Sequence, residues 1–340
     1  MTKSATRETA DIASVVGRKN AIINGNFDIW QRGTSFAAIA NTDYFADRWR
    51  VNHIMAGAIT ASRAADSPTA AQAGIYTSYC ISSAVTTADT SIAAADFFQI
   101  QQLIEGLNTA SFGFGQAGSR NVTLSFWVKG TKTGIHCVSI RNSATNRQYA
   151  AEYTIDSTNT WEYKTITIPV DTTGTWLYDT GMGLAVSFVL AAGTNYHITA
   201  NTWTASTAFT AATSNQVNAL DNTSNIFKVA LVQLEAGSVA TEFEPRSVGQ
   251  ELALCQRYYE TGDGNFWIYA ASGSQPIWNM QFTTTKRAVP TVVMVKGGNN
   301  DFPNAATGYA STSTIKLGCG AKTGSGAANV LLTFKASAEL

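Results

Sequence analysis

Between residues 75 and 234 apolar residues recur at every second position, in short runs parted by clusters of Asn, Asp, Ser, Thr and Gly. That period belongs to a β-strand, whose successive side chains point to opposite faces, and not to a helix. VTLSFWVKG shows it well, with Val122, Leu124, Phe126 and Val128 on one face and Thr123, Ser125, Trp127 and Lys129 on the other. This is the pattern of a half-buried antiparallel strand. YKTITIPV repeats it, with Tyr163, Thr165 and Thr167 opposite Ile166 and Ile168, and Pro169 ends that strand or sets it at an edge. The expected strands are 75–82, 97–105, 121–129, 134–141, 148–155, 162–169, 182–190, 196–203 and 226–234. FFQIQQLIE at 97–105 alternates as a strand, although its Gln and Leu also suit a helix. DTTGTW, SATNR and DSTNTW read as turns. Many short strands without amphipathic helices between them predict an all-β two-sheet sandwich or jelly roll.

The flanks follow the same logic. NAIINGNFDIWQRG opens with a short strand end at Ala21–Ile23 and a turn at Asn24-Gly25. Phe27, Ile29 and Gln31 then alternate with Asp28, Trp30 and Arg32 as a strand, and TDYFADRWRV adds Phe45 and Trp49 as core anchors. Residues 56–74 and 204–224 read as long loops. In the polar segment 1–19, Ile12, Val15 and Val16 would share one small face of a short helix. So short a helix needs a partner, in this protein or another chain, and otherwise frays.

Asn225–Tyr259 joins two compositions. Phe227–Leu234 is apolar on both faces, as in a central or covered strand, and Glu244-Pro245 forces extended backbone in an arm leaving the sandwich. Ser247 caps a helix from Val248, with Gln250 as its capping-box partner. Leu252, Cys255 and Tyr259 share one face of that helix, widened by Leu254 and Tyr258. This face either packs around a threefold axis or covers its own body. FWIYAAS, PIWNMQFTTT, TVVMVKG, STIKLGCG and VLLTFKAS then build a second, smaller β-domain. The expected organisation is an N-terminal segment at 1–19, a jelly roll at 20–246, a linking helix at 247–260 and a tip domain at 261–340.

Charge narrows the function. Lys plus Arg and Asp plus Glu are each 23, and only 14% of residues are charged, well under the roughly 25% usual in soluble domains. Such a chain has little long-range pull on phosphate, so nucleic acid is not an expected partner. A polar, uncharged surface suits durable assembly or neutral ligands such as glycans; compositional drift is the bland alternative. No apolar run approaches 18 residues and no signal-peptide core opens the chain, so neither membrane insertion nor ordinary secretion is expected. Cys80, Cys137, Cys255 and Cys319 are far apart and read as buried free thiols, not a zinc site. G-x-S-x-G, H-E-x-x-H and P-loop motifs are absent, His53, His136 and His197 show no triad spacing, and carboxylates such as Asp43, Asp47, Glu105, Glu152 and Glu162 are scattered. No enzyme is expected.

Three groups of residues then stand together in order: NAIINGNFDIWQRG with DYFADRWR, FQIQQLIEG with VTLSFWVKG, and KVALVQLEAGSVATEFEPR running into ELALCQRYYE. The set resembles bacteriophage and prophage tail-fibre or receptor-binding proteins with a carbohydrate-binding-module-like jelly-roll body. The resemblance implies a non-enzymatic virion component, usually a homotrimer. Its N-terminal segment, with Ile12, Val15 and Val16, would attach to other virion proteins. It implies multivalent attachment to host surface glycans. The alternatives are a decoration, head-fibre or baseplate adaptor protein without glycan binding, and a polysaccharide-degrading tailspike. The glycan-contact candidates are aromatics beside turns: Trp161, Trp176, Tyr178 and Trp203 in the body, and Trp267, Tyr269 and Trp278 in the tip. A core role competes for each. The trimer candidates are Leu252, Leu254, Cys255, Tyr258 and Tyr259. Related jelly rolls often carry a structural calcium, for which Asp28 is an available oxygen ligand, with a solvated carboxylate as the alternative.

Overall fold

The computed structural model describes residues 18–275, 277–297, 307–319 and 321–340, so Ile12, Val15 and Val16 lie outside the described residues. The chain divides into two compact units, Met1–Arg246 and Ser247–Leu340.

The first unit is a sandwich of two antiparallel sheets. The six-stranded sheet runs in the order β1 (Ser35–Phe36), β3 (Ala58–Ala64), β4 (Cys80–Thr87), β11 (Ile226–Ala236), β6 (Val122–Gly130), β9 (Glu162–Ile168). The five-stranded sheet runs β2 (Trp49–Ile54), β5 (Phe97–Glu105), β10 (Met182–Ala192), β7 (Gly134–Arg141), β8 (Gln148–Ile155). The chain changes sheet at every step except the β3–β4 and β7–β8 hairpins, which is the winding of a jelly roll. Alternation decides the core. Phe98, Ile100 and Ile104 of β5 face Val122, Leu124 and Phe126 of β6, and Phe188 lies 5.0 Å from Phe126 and 6.2 Å from Trp49 between ring centroids. FFQIQQLIE is a strand throughout, with every residue buried.

Several expectations change. Phe27–Gln31 is not a strand, because Asn24 and Phe27 both sit at φ +57°. The Asn24 side chain folds the segment back instead: its carbonyl accepts from Ile29 N–H at 3.0 Å, and its amide donates to Ile29 O at 2.8 Å and Asp47 O at 3.1 Å. The loop expected at 56–74 contains β3 and a short capped helix at Ala70–Ala73. The Ala, Thr and Ser of β3 give little polarity contrast, and only Ile59 and Ala61 reach the core. Residues 196–203 form no strand: a 3-10 turn at Thr194–Tyr196 ends β10 and the chain turns away. Nor does the Glu244-Pro245 arm leave the sandwich. Glu244 accepts from the backbone N–H groups of Lys19 and Asn20, and Arg246 donates to the carbonyls of Ile22 and Asn20.

The second unit begins with the helix Val248–Gln256, which carries the Ser247/Gln250 capping box. Two three-stranded antiparallel sheets follow. One has the order β12 (Tyr259–Ala270), β17 (Gly326–Ser337), β14 (Thr291–Gly297), and the other β13 (Ile277–Gln281), β16 (Thr314–Gly318), β15 (Thr307–Ala310). Val330, Leu332, Phe334, Ile315 and Leu317 form its core. A buried ion pair, Lys286 with Glu260, completes it; Lys286 also donates to Gln256 O. The helix stops at Gln256 and Tyr259 opens β12, so the five-residue helical face does not form. Cys255, Tyr258 and Tyr259 are buried in the single chain, and Leu252 and Leu254 are half-buried.

Candidate functional site

The outward face of the five-stranded sheet is polar and nevertheless buried. Gln99 and Gln101 of β5, Ser187 of β10, Ser139 and Arg141 of β7 and Gln148 of β8 all point away from the core. Burial, and then the neighbouring positive charge of Arg50, pulls the Arg141 guanidinium down to about 10. The cover is residues 204–213, the first half of the segment read as a loop. Thr204 exchanges both backbone hydrogen bonds with Gln148, at 2.8 and 2.9 Å. The Gln99 amide donates to Phe209 O at 3.2 Å, the Gln148 amide donates to Ala208 O, and Ala211 N–H donates to Ser139 Oγ at 3.0 Å. The strap thus presents peptide groups to side-chain amides and leaves Phe209 54% exposed. Gln99 Oε1, Gln148 Oε1, Arg141 Nε and Thr210 Oγ1 remain buried under it without a partner. This face is filled by its own chain.

The body aromatics serve the core. Trp161 is buried beside Cys80 and Leu231, and Trp176 is buried and stacked on Phe114 at 4.6 Å. Trp203 is half-buried, edge-on to Trp176 at 5.6 Å, with Nε1 donating to Pro169 O at 2.7 Å. Tyr178 is half-buried and donates to Phe114 O. These four form no open stacking platform.

The second unit differs. Trp267 and Tyr269 are 75% and 85% exposed, two residues apart on one face of β12. Leu331, Val293 and Val295 share that face through the β12–β17–β14 register, as do the polar Asn265 and Thr333. Trp278 instead stacks on Phe266 at 4.4 Å as part of the interior. Another aromatic pair, Trp127 and Tyr163, stands outside the glycan-contact candidates; the two are direct cross-strand partners on the outward face of the six-stranded sheet. The alternation that placed both opposite the core was the available signal.

Four carboxylates are occupied by structural work. Asp47 accepts from Gln31 and Arg32, Glu162 from the backbone of Asp156 and Ser157, Glu235 from Gln233 and Thr241, and Glu152 from Thr213 and Asn215. Burial raises the Asp28 carboxyl, against a hydrogen bond from Asn26 and the positive charge of Arg63. No set of three His, Cys, Asp or Glu side chains gathers to hold a metal ion among the described residues. No helix is long and apolar enough to cross a membrane among the described residues.

No protein-family model and no curated protein matches the chain. Among solved structures it is similar to the enzymatically active domain of tailspike protein 4 of bacteriophage CBA120, at 14% identity and TM-score 0.32 over 64% of this chain; it spans only 21% of that chain. It is also similar to TmCBM61, solved with β-1,4-galactotriose, at 9% identity and TM-score 0.31 over 64% of this chain and 99% of that one. A third is the family 11 carbohydrate-binding module of the Clostridium thermocellum cellulase Lic26A-Cel5E, at 10% identity and TM-score 0.32 over 61% of this chain and 97% of that one. Likeness at these scores carries no functional argument, and the jelly-roll assignment rests on the strand order itself.

Proposed function

We propose that the protein is a non-catalytic glycan-binding component of a phage virion, a tail fibre or receptor-binding protein whose second unit meets host surface glycans. The observation that carries this reading is the pair Trp267 and Tyr269, exposed side by side on β12. An aromatic ring set in water is costly to maintain without a partner, and its flat apolar face matches the C–H face of a pyranose. Asn265, next on the same face, supplies hydrogen-bonding groups for hydroxyls. Single sites of this kind bind weakly. Three copies on one fibre and several fibres on a particle raise avidity without any new contact.

The test is a glycan array probed with the full chain and with the Trp267→Ala/Tyr269→Ala double variant. Retention of host-type glycans by the first and not the second supports the reading; no retention by either sinks it. The aliphatic neighbours Val293 and Val295, 57% and 59% exposed, favour a second reading, in which this face joins copies of the chain within a homotrimeric fibre or adaptor. Native mass spectrometry at three times the 36.2 kDa chain mass, lost in Val295→Lys, would favour that role. A particle map locating the protein on the capsid shell would remove the receptor-binding role.

A further inference from the structure

We propose that the outer face of the six-stranded sheet carries a saccharide-binding groove centred on Tyr163 and Trp127, separate from the aromatic face of the second unit. Cross-strand pairing builds it rung by rung: Trp127 with Tyr163, Ser125 with Thr165, Thr123 with Thr167. The next strand adds Ala230 beside Trp127 and Gln233 beside Ser125. Phe126 of β6 therefore faces two residues of β11, Leu231 and Val232, a β-bulge that holds Leu231 at φ +52°. A leucine in the left-handed region is strained, and strain of this kind persists where the surroundings impose it, often at sites of function. Here the bulge turns Leu231 onto the groove floor.

Over this floor lies a cavity of about 380 Å³, walled by Gln72 and Ala73 on one side and by Thr241, Glu242 and Phe243 on the other. A second cavity of about 300 Å³ runs on past Thr165 and Thr167 to Ser238 and Val239. Tyr163 and Ala240 line both, so the two form one path across the Tyr163 ring. That ring is 47% exposed, and its centroid lies 5.5 Å from that of Trp127 at an interplanar angle of 44°. The rings are inclined to each other and not stacked.

The polar groups define the ligand class. Thr167 already donates to Ser238 O at 3.0 Å, which leaves its exposed oxygen to accept, while Thr123, bonded to Gly237 O at 2.8 Å, is buried below the path. The Gln72 carbonyl is taken by the Thr69 capping box, which leaves its NH2 group to donate. Glu242 adds one carboxylate at the rim. No Lys or Arg lines either cavity, and the nearby Lys129 and Lys228 are committed to Asp66. The Lys19 ammonium donates to Thr241 Oγ1 and Glu242 O at the wall, so this cation too is bound to protein oxygens. A purely apolar segment would bury hydroxyls and a carboxylate without partners, at a cost. A neutral pyranose chain fits both requirements, one ring over Tyr163 and its hydroxyls along the exposed Thr165 and Thr167.

The test uses the full chain carrying Trp267→Ala/Tyr269→Ala, which removes the second-unit aromatics, so its outcome does not depend on the function proposed for that unit. The chain is labelled with 5-fluorotryptophan, and the Trp127 resonance is assigned by its loss in Trp127→Phe. It is titrated to millimolar levels with cellotriose, xylotriose, maltotriose, chitotriose and β-1,4-galactotriose. The expected result is a saturable shift of the Trp127 signal with at least one trisaccharide. Tyr163→Ala weakens that binding roughly tenfold, while Tyr163→Phe, which keeps the ring, stays within about threefold. Tyr163 is exposed enough that neither change threatens the fold. Silence with every trisaccharide, a shift indifferent to Tyr163→Ala, or a response only to a leucine-rich peptide overturns the proposal.

Discussion

The Glu244 carboxylate accepts a hydrogen bond from the Asn20 backbone N–H at 2.9 Å, across 224 residues of chain. The same carboxylate takes the Lys19 N–H at 3.3 Å and faces Arg246 at 3.1 Å, while Asn20 in turn bonds the backbone of β11 through Val232 O and Leu234 N–H. Residues at opposite ends of the first unit's sequence are thereby stitched into one edge. Glu244→Ala leaves two backbone donors without their acceptor and removes the partner of Arg246. The expected loss is about 1–3 kcal/mol, read as a lower urea midpoint with an unchanged slope. Glu244→Gln, which keeps one acceptor oxygen, should lose less. An unchanged midpoint in the alanine variant would show that the arm adds nothing to the sandwich.

Gly25 meets the same edge without a side chain. A Cβ there would lie 2.2 Å from Val232 O, whose residue also donates its N–H to Gly25 O at 2.9 Å. Backbone cannot yield as a flexible side chain can. Gly25→Ala should therefore cost more than about 3 kcal/mol, at the destabilising extreme for one added methyl group. Thermal unfolding followed by tryptophan fluorescence checks it. A melting point within a few degrees of the parent would mean that the turn and β11 separate easily.

These two residues also show what was legible in the sequence. The period-two runs gave the sandwich, and the strands 134–141 and 148–155 appear at the expected bounds, because alternation is a local property. NAIINGNFDIW was legible as a landmark but not as a shape. Its form comes from Asn24, Asp47 and β11 meeting in space, and no local period encodes that meeting. β3 was hidden because Ala, Thr and Ser scarcely distinguish its two faces. The aromatic candidates fared unevenly for a related reason. Tryptophan beside a turn signals neither burial nor exposure, so Trp161 and Trp176 proved buried while Trp267 is open. Tyr163 and Trp127 were already assigned the correct face, yet a groove depends on the walls at 72–73 and 241–243, which come from distant sequence.

The strap at 204–213 should be the most easily opened part of the first unit's polar face. It rests on side-chain amides and on one small apolar cluster of Ala212 with Cys137, Val189 and Ala192, and it leaves Gln99 Oε1, Gln148 Oε1 and Arg141 Nε buried without partners. Each such atom carries a penalty of about 1–3 kcal/mol that opening the strap relieves. Gln148→Ala removes one anchor together with one orphaned oxygen. The expected outcome is faster amide hydrogen exchange confined to 204–213, with the global melting point changed by only a few degrees. Uniformly faster exchange over β7 and β8 would mean instead that strap and sheet open as one unit.

His136 should set the acid side of the first unit's stability. It is buried, stacked 5.7 Å from Tyr153, with Nε2 on Lys132 O at 3.1 Å and Nδ1 buried without a partner. Burial pushes its pKa from 6.5 down to about 4, against the hydrogen bond to Lys132 and with the repulsion of that lysine's charge. The folded protein therefore holds the neutral ring where the unfolded chain already binds a proton. Stability from this group is complete above pH 6.5 and is lost as the pH falls from 6.5 to 4, by an amount on the order of 3 kcal/mol. His53, also lowered by burial, adds to the slope in the same direction. Asp66 acts lower down: held near 2 by Lys228 and Lys129 against its own desolvation, it loses its contribution only between its ordinary value of 3.8 and about 2. Urea midpoints taken between pH 7 and pH 4 should thus fall steeply in the parent. In His136→Phe, which keeps the stacking ring but cannot titrate, most of that slope should vanish. A parent curve flat across this window would mean that the imidazole is protonated in the folded state.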